Sequence, residues 1–157
     1  MDAIIMPSIT LVVKNLKHDY PQFKFKVGSD YLWSHQENTI FYPKNGDVEL
    51  LFHELGHAIL KHFDYKRDIE LLSMETAAWD MAKQLAKKYG IDISDSLVDS
   101  HLDTYRDWLH ARSKCKYCQA IGLQIKSNTY TCIACNKQWL VNEARTCGLK
   151  RYAPKIK

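Results

Sequence analysis

The run from Leu50 to Leu60 is apolar except at His53, Glu54, Gly56 and His57. Such a run reads as a helix with little solvent contact, and polar groups inside such a helix need partners. Positions i and i+4 share a helix face, so His53 and His57 can present both imidazoles to one cation. Glu54 is turned about 100° from His53, beside that cation rather than on it. A base placed there can take a proton from a metal-activated water. Gly56 lets a backbone or a substrate come close. A catalytic zinc takes three protein ligands and keeps a fourth position open. The helix therefore has to sit beside an element that supplies the third. Glu75 fills that role best: the chain after His57 is long enough to turn and return, Ala77 and Ala78 leave room for close helix packing, and Trp79 can pack beneath the ligand. Glu70 and Asp80 are the rivals.

The surrounding segments read as short elements. Ser8 caps a helix to about Asp19, with Ile9, Val12, Val13 and Leu16 on one face. Phe23–Val27, Tyr31–Ser34 and Thr39–Tyr42 read as three short strands of an antiparallel meander, with Gly28-Ser29-Asp30 as a turn. Asp47 is placed to cap the HELGH helix, expected from Val48 to about Phe63. A second long helix is expected from Asp68 to Tyr89, ended by Lys87, Lys88 and Gly90. A third, from Asp95 to Arg112, carries Leu97, Val98, His101, Leu102, Tyr105, Trp108 and Leu109 on one face.

The C-terminal part is different in kind. Of five cysteines, four form two close pairs, Cys115-x-x-Cys118 and Cys132-x-x-Cys135. Two such knuckles enclose zinc tetrahedrally, and a segment this short needs the staple. Cys147 is left as a free thiol. Leu123–Lys126 and Thr129–Thr131 alternate as a hairpin turning at Ser127-Asn128. Residues 1–109 hold 12 Lys and Arg against 17 Asp and Glu, while residues 110–157 hold 10 against one, Glu143. That asymmetry predicts different partners for the two parts. Contact with nucleic acid or an acidic protein is expected through Lys114, Lys116, Lys126, Lys137, Arg145, Lys150 and Arg151, with Tyr117, Tyr130 or Trp139 for stacking. No stretch approaches the roughly 18 apolar residues of a membrane span. Met1–Ile5 lacks a basic leader, and the paired cysteines suit metal rather than disulfides, so a cytoplasmic protein is expected.

The run Phe52-His53-Glu54-Leu55-Gly56-His57-Ala58-Ile59-Leu60-Lys61-His62, followed by Glu75-Thr76-Ala77-Ala78-Trp79, resembles the ImmA/IrrE-type zinc metallopeptidases. That family pairs a HELGH helix with a downstream helix supplying a Glu ligand near small residues. The likeness covers roughly residues 8 to 90. It implies zinc on His53, His57 and Glu75, Glu54 as the catalytic base, an α+β fold, and limited proteolysis of a regulatory protein, often a DNA-binding repressor. The helix-turn-helix that many relatives carry is not read here, and the cysteine module is not part of the family's core. SprT-like proteases, which act on DNA-associated proteins, also combine HExxH with a zinc ribbon. Their third ligand is a downstream His, and none lies where Glu75 does. A metzincin would need its third His at position 63, which is Phe63, and a glycine where Leu60 stands. His62 reads as a helix-end residue favoured by the dipole.

The expectation is thus a zincin-like metallopeptidase domain over residues 1–110 and a basic four-cysteine zinc ribbon over 111–157, with two zinc ions per chain. The fold class is α+β: a small antiparallel three-stranded sheet with about four helices, then the ribbon. Tyr65, His101 and Tyr105 are candidates for the second donor to a developing oxyanion. The expected activity is zinc-dependent cleavage of a repressor-like protein. The alternatives are a SprT-like protease and a non-catalytic, zinc-stabilised nucleic-acid-binding or regulatory protein.

Overall fold

The computed structural model describes residues 7–145 and 147–155, so the Met1–Ile5 run considered above lies outside them. The chain divides into two compact units, residues 1–63 with 74–98, and residues 64–73 with 99–157. Beside the cysteine segment, the second unit therefore takes in residues 64–73 and 99–110. Two helices, α3 (Asp68–Lys87) and α4 (Asp95–Ser113), contribute to both. The fold is α+β.

In the first unit, α1 (Ile9–Asp19) starts where Ser8 Oγ accepts from the Leu11 N–H at 3.4 Å. Its spacing puts Ile9, Val12, Val13 and Leu16 on one face, and all four are buried. Strands β1 (Lys24–Val27), β2 (Leu32–Ser34) and β3 (Thr39–Tyr42) form one sheet in the order β1-β3-β2. β2 and β3 are an antiparallel hairpin with Trp33 opposite Ile40. β1 runs parallel to β3, with Phe25 also opposite Ile40, which corrects the all-antiparallel meander. The physical reason is that alternation specifies which face a side chain takes, not which strand is its neighbour. The hairpin leaves one edge of β3 open, and residues 28–38, β2 included, form the crossover that brings β1 to it. Paired on both sides, β3 becomes the buried strand of the sheet.

Helix α2 (Val48–Leu60) packs against β2 and β3. Asp47 occupies its N-cap position but makes no side-chain cap bond; its carbonyl accepts from the Tyr31 hydroxyl at 2.9 Å. The helix stops at Leu60, short of the expected Phe63, because Lys61 turns into the left-handed region at φ 56°, ψ 43°. The Lys61 N–H then bonds Ala58 O at 3.2 Å and the His62 N–H bonds His57 O at 3.0 Å, a Schellman closure. The exit from α3 uses the same device at the expected glycine: Gly90 has φ 70°, and the Ile91 N–H reaches Ala86 O at 3.1 Å. A Cβ on Gly56 would lie 2.5 Å from the carbonyl oxygen of Ala78, so α2 and α3 touch backbone to backbone there. The absence of a side chain at position 56 sets how close the two helices lie.

In the second unit, β4 (Leu123–Lys126), β5 (Thr129–Thr131), β6 (Gln138–Val141) and β7 (Arg151–Tyr152) pair antiparallel in sequence order. The β4–β5 turn falls at Ser127-Asn128 as expected, with Asn128 at φ 54°. Cys115, Tyr130, Cys132, Trp139 and Val141 form its core. Arg112 is buried and fully engaged: its Nε donates to Asp68 Oδ2 at 2.6 Å, Nη1 to Asn142 O at 2.5 Å and Nη2 to Asn128 Oδ1 at 2.6 Å. The Tyr130 hydroxyl donates to the same Asp68 oxygen at 2.6 Å. A buried guanidinium is tolerated only with such full partnering. Among the described residues no helix is long and apolar enough to cross a membrane.

Candidate metal centre

The close helix contact at Gly56 and Ala78 places Glu75, one turn earlier on α3, over the face of α2 that carries His53 and His57. His53 Nε2 lies 3.0 Å from Glu75 Oε2 and 3.1 Å from His57 Nε2, and His57 Nε2 lies 3.5 Å from Glu75 Oε1. A tetrahedral zinc with ligand bonds near 2.0–2.1 Å has ligand–ligand edges of roughly 3.3 Å. The two Nε2 atoms and the two oxygens of the Glu75 carboxylate lie close to that spacing, and the three residues form one of two groups among the described residues able to hold a metal ion. Glu75 belongs to this grouping, and Glu70 and Asp80 do not. Glu70 instead turns back to accept the Lys66 and Arg67 N–H groups at 2.8 and 3.3 Å, and Asp80 is exposed.

Charge and packing support the triad. Burial alone would raise the Glu75 carboxyl, but hydrogen bonds from His53 and His57 and their nearby charge outweigh it and hold its pKa down to about 2. Trp79, expected beneath Glu75, stacks instead on His53, with centroids 4.3 Å apart and planes at 26°. His53 Nδ1 is buried with no hydrogen-bond partner among the described residues. Packing against the indole face, and no hydrogen bond at Nδ1, therefore backs the ring away from the triad.

Glu54, next along α2, directs its Oε2 to the Trp33 backbone N–H of β2, which it accepts at 2.7 Å. Burial pushes its carboxyl pKa up, against the lowering pull of His53, His57 and that N–H. The bond also shows which way β2 faces. Its backbone edge not paired with β3 is turned toward Glu54. Two clefts flank this edge. One of about 600 Å³ is lined by Phe23, Trp33, His35, Ala58 and Lys61, and one of about 390 Å³ by Leu32, His35, His62 and Phe63. His35 and Phe63 stack at 4.2 Å between them. Sequence reasoning missed Trp33, and nothing in the sequence marks it, because the contributing group is a main-chain donor.

His62 does not act as the dipole-favoured cation expected at a helix end. It lies past that end, with Nδ1 3.0 Å from His57 Nδ1, and burial together with the neighbouring His57 lowers its pKa. The three oxyanion candidates all belong to the second unit: His101 and Tyr105 on α4, and Tyr65 ahead of α3, where its hydroxyl accepts from Arg145 at 3.2 Å.

The second group is Cys115, Cys118, Cys132 and Cys135, all free thiols. Cys115 and Cys135 Sγ lie 3.8 Å apart and Cys118 and Cys132 Sγ 3.5 Å, against an S···S edge of roughly 3.8 Å for zinc bonded at 2.3 Å. Backbone N–H groups aim at the sulfurs, Tyr117 N at Cys115 Sγ and Cys135 N at Cys132 Sγ, each at 3.4 Å. Burial opposes ionisation of Cys115, yet the N–H groups of Cys118 and Tyr117 bring its pKa down to about 6. Such donors stabilise thiolates, the form that binds metal. The stacking expectation needs correction: Tyr130 and Trp139 are core residues, packed on each other at 5.6 Å. Their alternation in β5 and β6 points them inward. Tyr117 alone of the three is exposed, with Lys116 and Lys137 over its ring at 5.4 and 4.7 Å.

Compared with protein-family models, with curated proteins and with solved structures, the chain finds no match in any of the three. The assignment therefore rests on the site. A His/Glu triad and a separate four-cysteine cluster in an α+β fold fit a zinc-metallopeptidase-like architecture.

Proposed function

We propose that the first unit is a zinc peptidase centre of the ImmA/IrrE type, cleaving a regulatory protein, with His53, His57 and Glu75 as ligands and Glu54 as general base. The observation that carries this reading is the convergence of two Nε2 atoms and a carboxylate on one point, with a second, half-buried carboxylate held against an edge strand. Zinc bound there would supply Lewis acidity, acidifying a water and polarising a carbonyl. The chain supplies the rest. Glu54, its pKa raised by burial, accepts the proton of the attacking water and returns it to the leaving amine. An extended segment can lie along the β2 edge not paired with β3, taking over the Trp33 N–H from Glu54, with its side chains in the flanking clefts. The third ligand is what favours this type over a SprT-like one. The partially buried aromatic lining of the clefts favours apolar side chains next to the cleaved bond.

Replacing Glu54 with Gln tests the proposal. The zinc content should be unchanged while cleavage falls by about 10²–10⁴-fold, the range for loss of a general base. The measurement is a comparison of new protein N-termini in cells expressing the wild-type or the Glu54→Gln chain. N-termini common to both, with none specific to the wild type, would remove the peptidase reading.

A further inference from the structure

We propose that His62 is a positioning residue that holds His57 in its metal-binding tautomer, an inference that rests on zinc being bound at His53, His57 and Glu75. The two Nδ1 atoms face each other at 3.0 Å, with ring planes at 67°. Between neutral imidazoles, one nitrogen of such a pair carries the proton and the other accepts it. If His62 donated, the proton of His57 would sit on Nε2 and point at His53 and Glu75, closing the triad to a cation. With His57 as donor, its Nε2 lone pair faces the triad and His62 Nδ1 is the acceptor. The metal-binding form and the His62-accepting form of His57 are therefore the same form.

The backbone builds this contact deliberately early in the chain's exit from α2. Lys61, a non-glycine residue at φ 56°, turns the chain so that the His62 N–H bonds His57 O at 3.0 Å. The two residues are thus tied by main chain and side chain together. No equivalent partner serves the other imidazole, since His53 Nδ1 has none among the described residues and relies on Trp79. The outer hydrogen bond of the triad is concentrated on one ligand.

The experiment uses the full chain, stripped of metal and titrated with zinc against a chelator of known affinity, with the four-cysteine site as internal reference. His62→Ala should weaken the triad's zinc by roughly 10–100-fold, the usual cost of losing a ligand's outer partner. His62→Asn, whose Oδ1 falls near the place of Nδ1, should recover most of that loss. In the metal-free protein, at a pH where the imidazoles are neutral, ¹⁵N spectra should show His57 protonated at Nδ1 in the wild type and shifted toward the Nε2–H form in His62→Ala. A purely structural role would move neither the tautomer nor the rescue. Wild-type zinc affinity in His62→Ala, or an Asn variant as weak as Ala, overturns this inference alone. A wild-type chain that holds only the cysteine-bound zinc overturns the metal reading and this inference together.

Discussion

Glu75 combines two demands that oppose each other in water-excluded surroundings: it is buried, and it is ionised. The two histidines that share its site resolve the conflict, and in the metal-free protein they do so at a cost that depends on pH. Its folded pKa of about 2 lies below the ordinary 4.5, so the carboxylate contributes stability that is fully present above pH 4.5. That contribution is lost as pH falls toward and through 2, on the order of 3 kcal/mol in total. Urea unfolding of the metal-free chain across this window should show the decline, and Glu75→Gln should flatten it. The same substitution should leave the chain with only its cysteine-bound zinc. At this scale much of the site was legible beforehand. Helical spacing in HELGH alone puts the His53 and His57 imidazoles on one face with Glu54 beside them, and the grouping of Glu75 with them follows the small residues next to it. His62 was not legible in its real place, because a lysine that turns left-handed carries no local signal comparable to glycine.

Among elements, the α2–α3 contact decides whether a triad exists. Gly56→Ala gains about 1 kcal/mol of helix propensity. It also sets a methyl 2.5 Å from Ala78 O, an overlap the helices can relieve only by separating. Overpacking of this kind costs typically about 1–3 kcal/mol. The separation also withdraws Glu75 from His53, so the variant should lose the triad's zinc while keeping that of the ribbon. Native mass spectrometry reads both. The helices themselves were readable from caps and periodicity: Ser8, Gly90 and the buried face of α1 all stand as the residues indicate. Strand partners were not readable. The alternation in β1 is satisfied equally beside β2 or β3, and only the tertiary arrangement chooses. β7, two residues long, falls below any periodic signal, and it exists because β6 offers it an edge.

For the whole molecule, two metal groups in two compact units predict two zinc ions that come and go separately. Cys115→Ser should leave one per chain and His53→Ala should leave one, with elemental analysis of the purified protein as the measure. Loss of all zinc with Cys115→Ser would mean that the triad is empty in the native chain. The Gly56 contact also sets a limit on how this protein can change over time. The atom that a side chain at position 56 would strike belongs to the main chain, and every amino acid carries that atom. No exchange at position 78 can therefore make room for it. Most crowded core positions can drift when a neighbour shrinks, but this one has no neighbour able to shrink. A population carrying Gly56→Ala would have reversion as its direct route back to the original helix spacing.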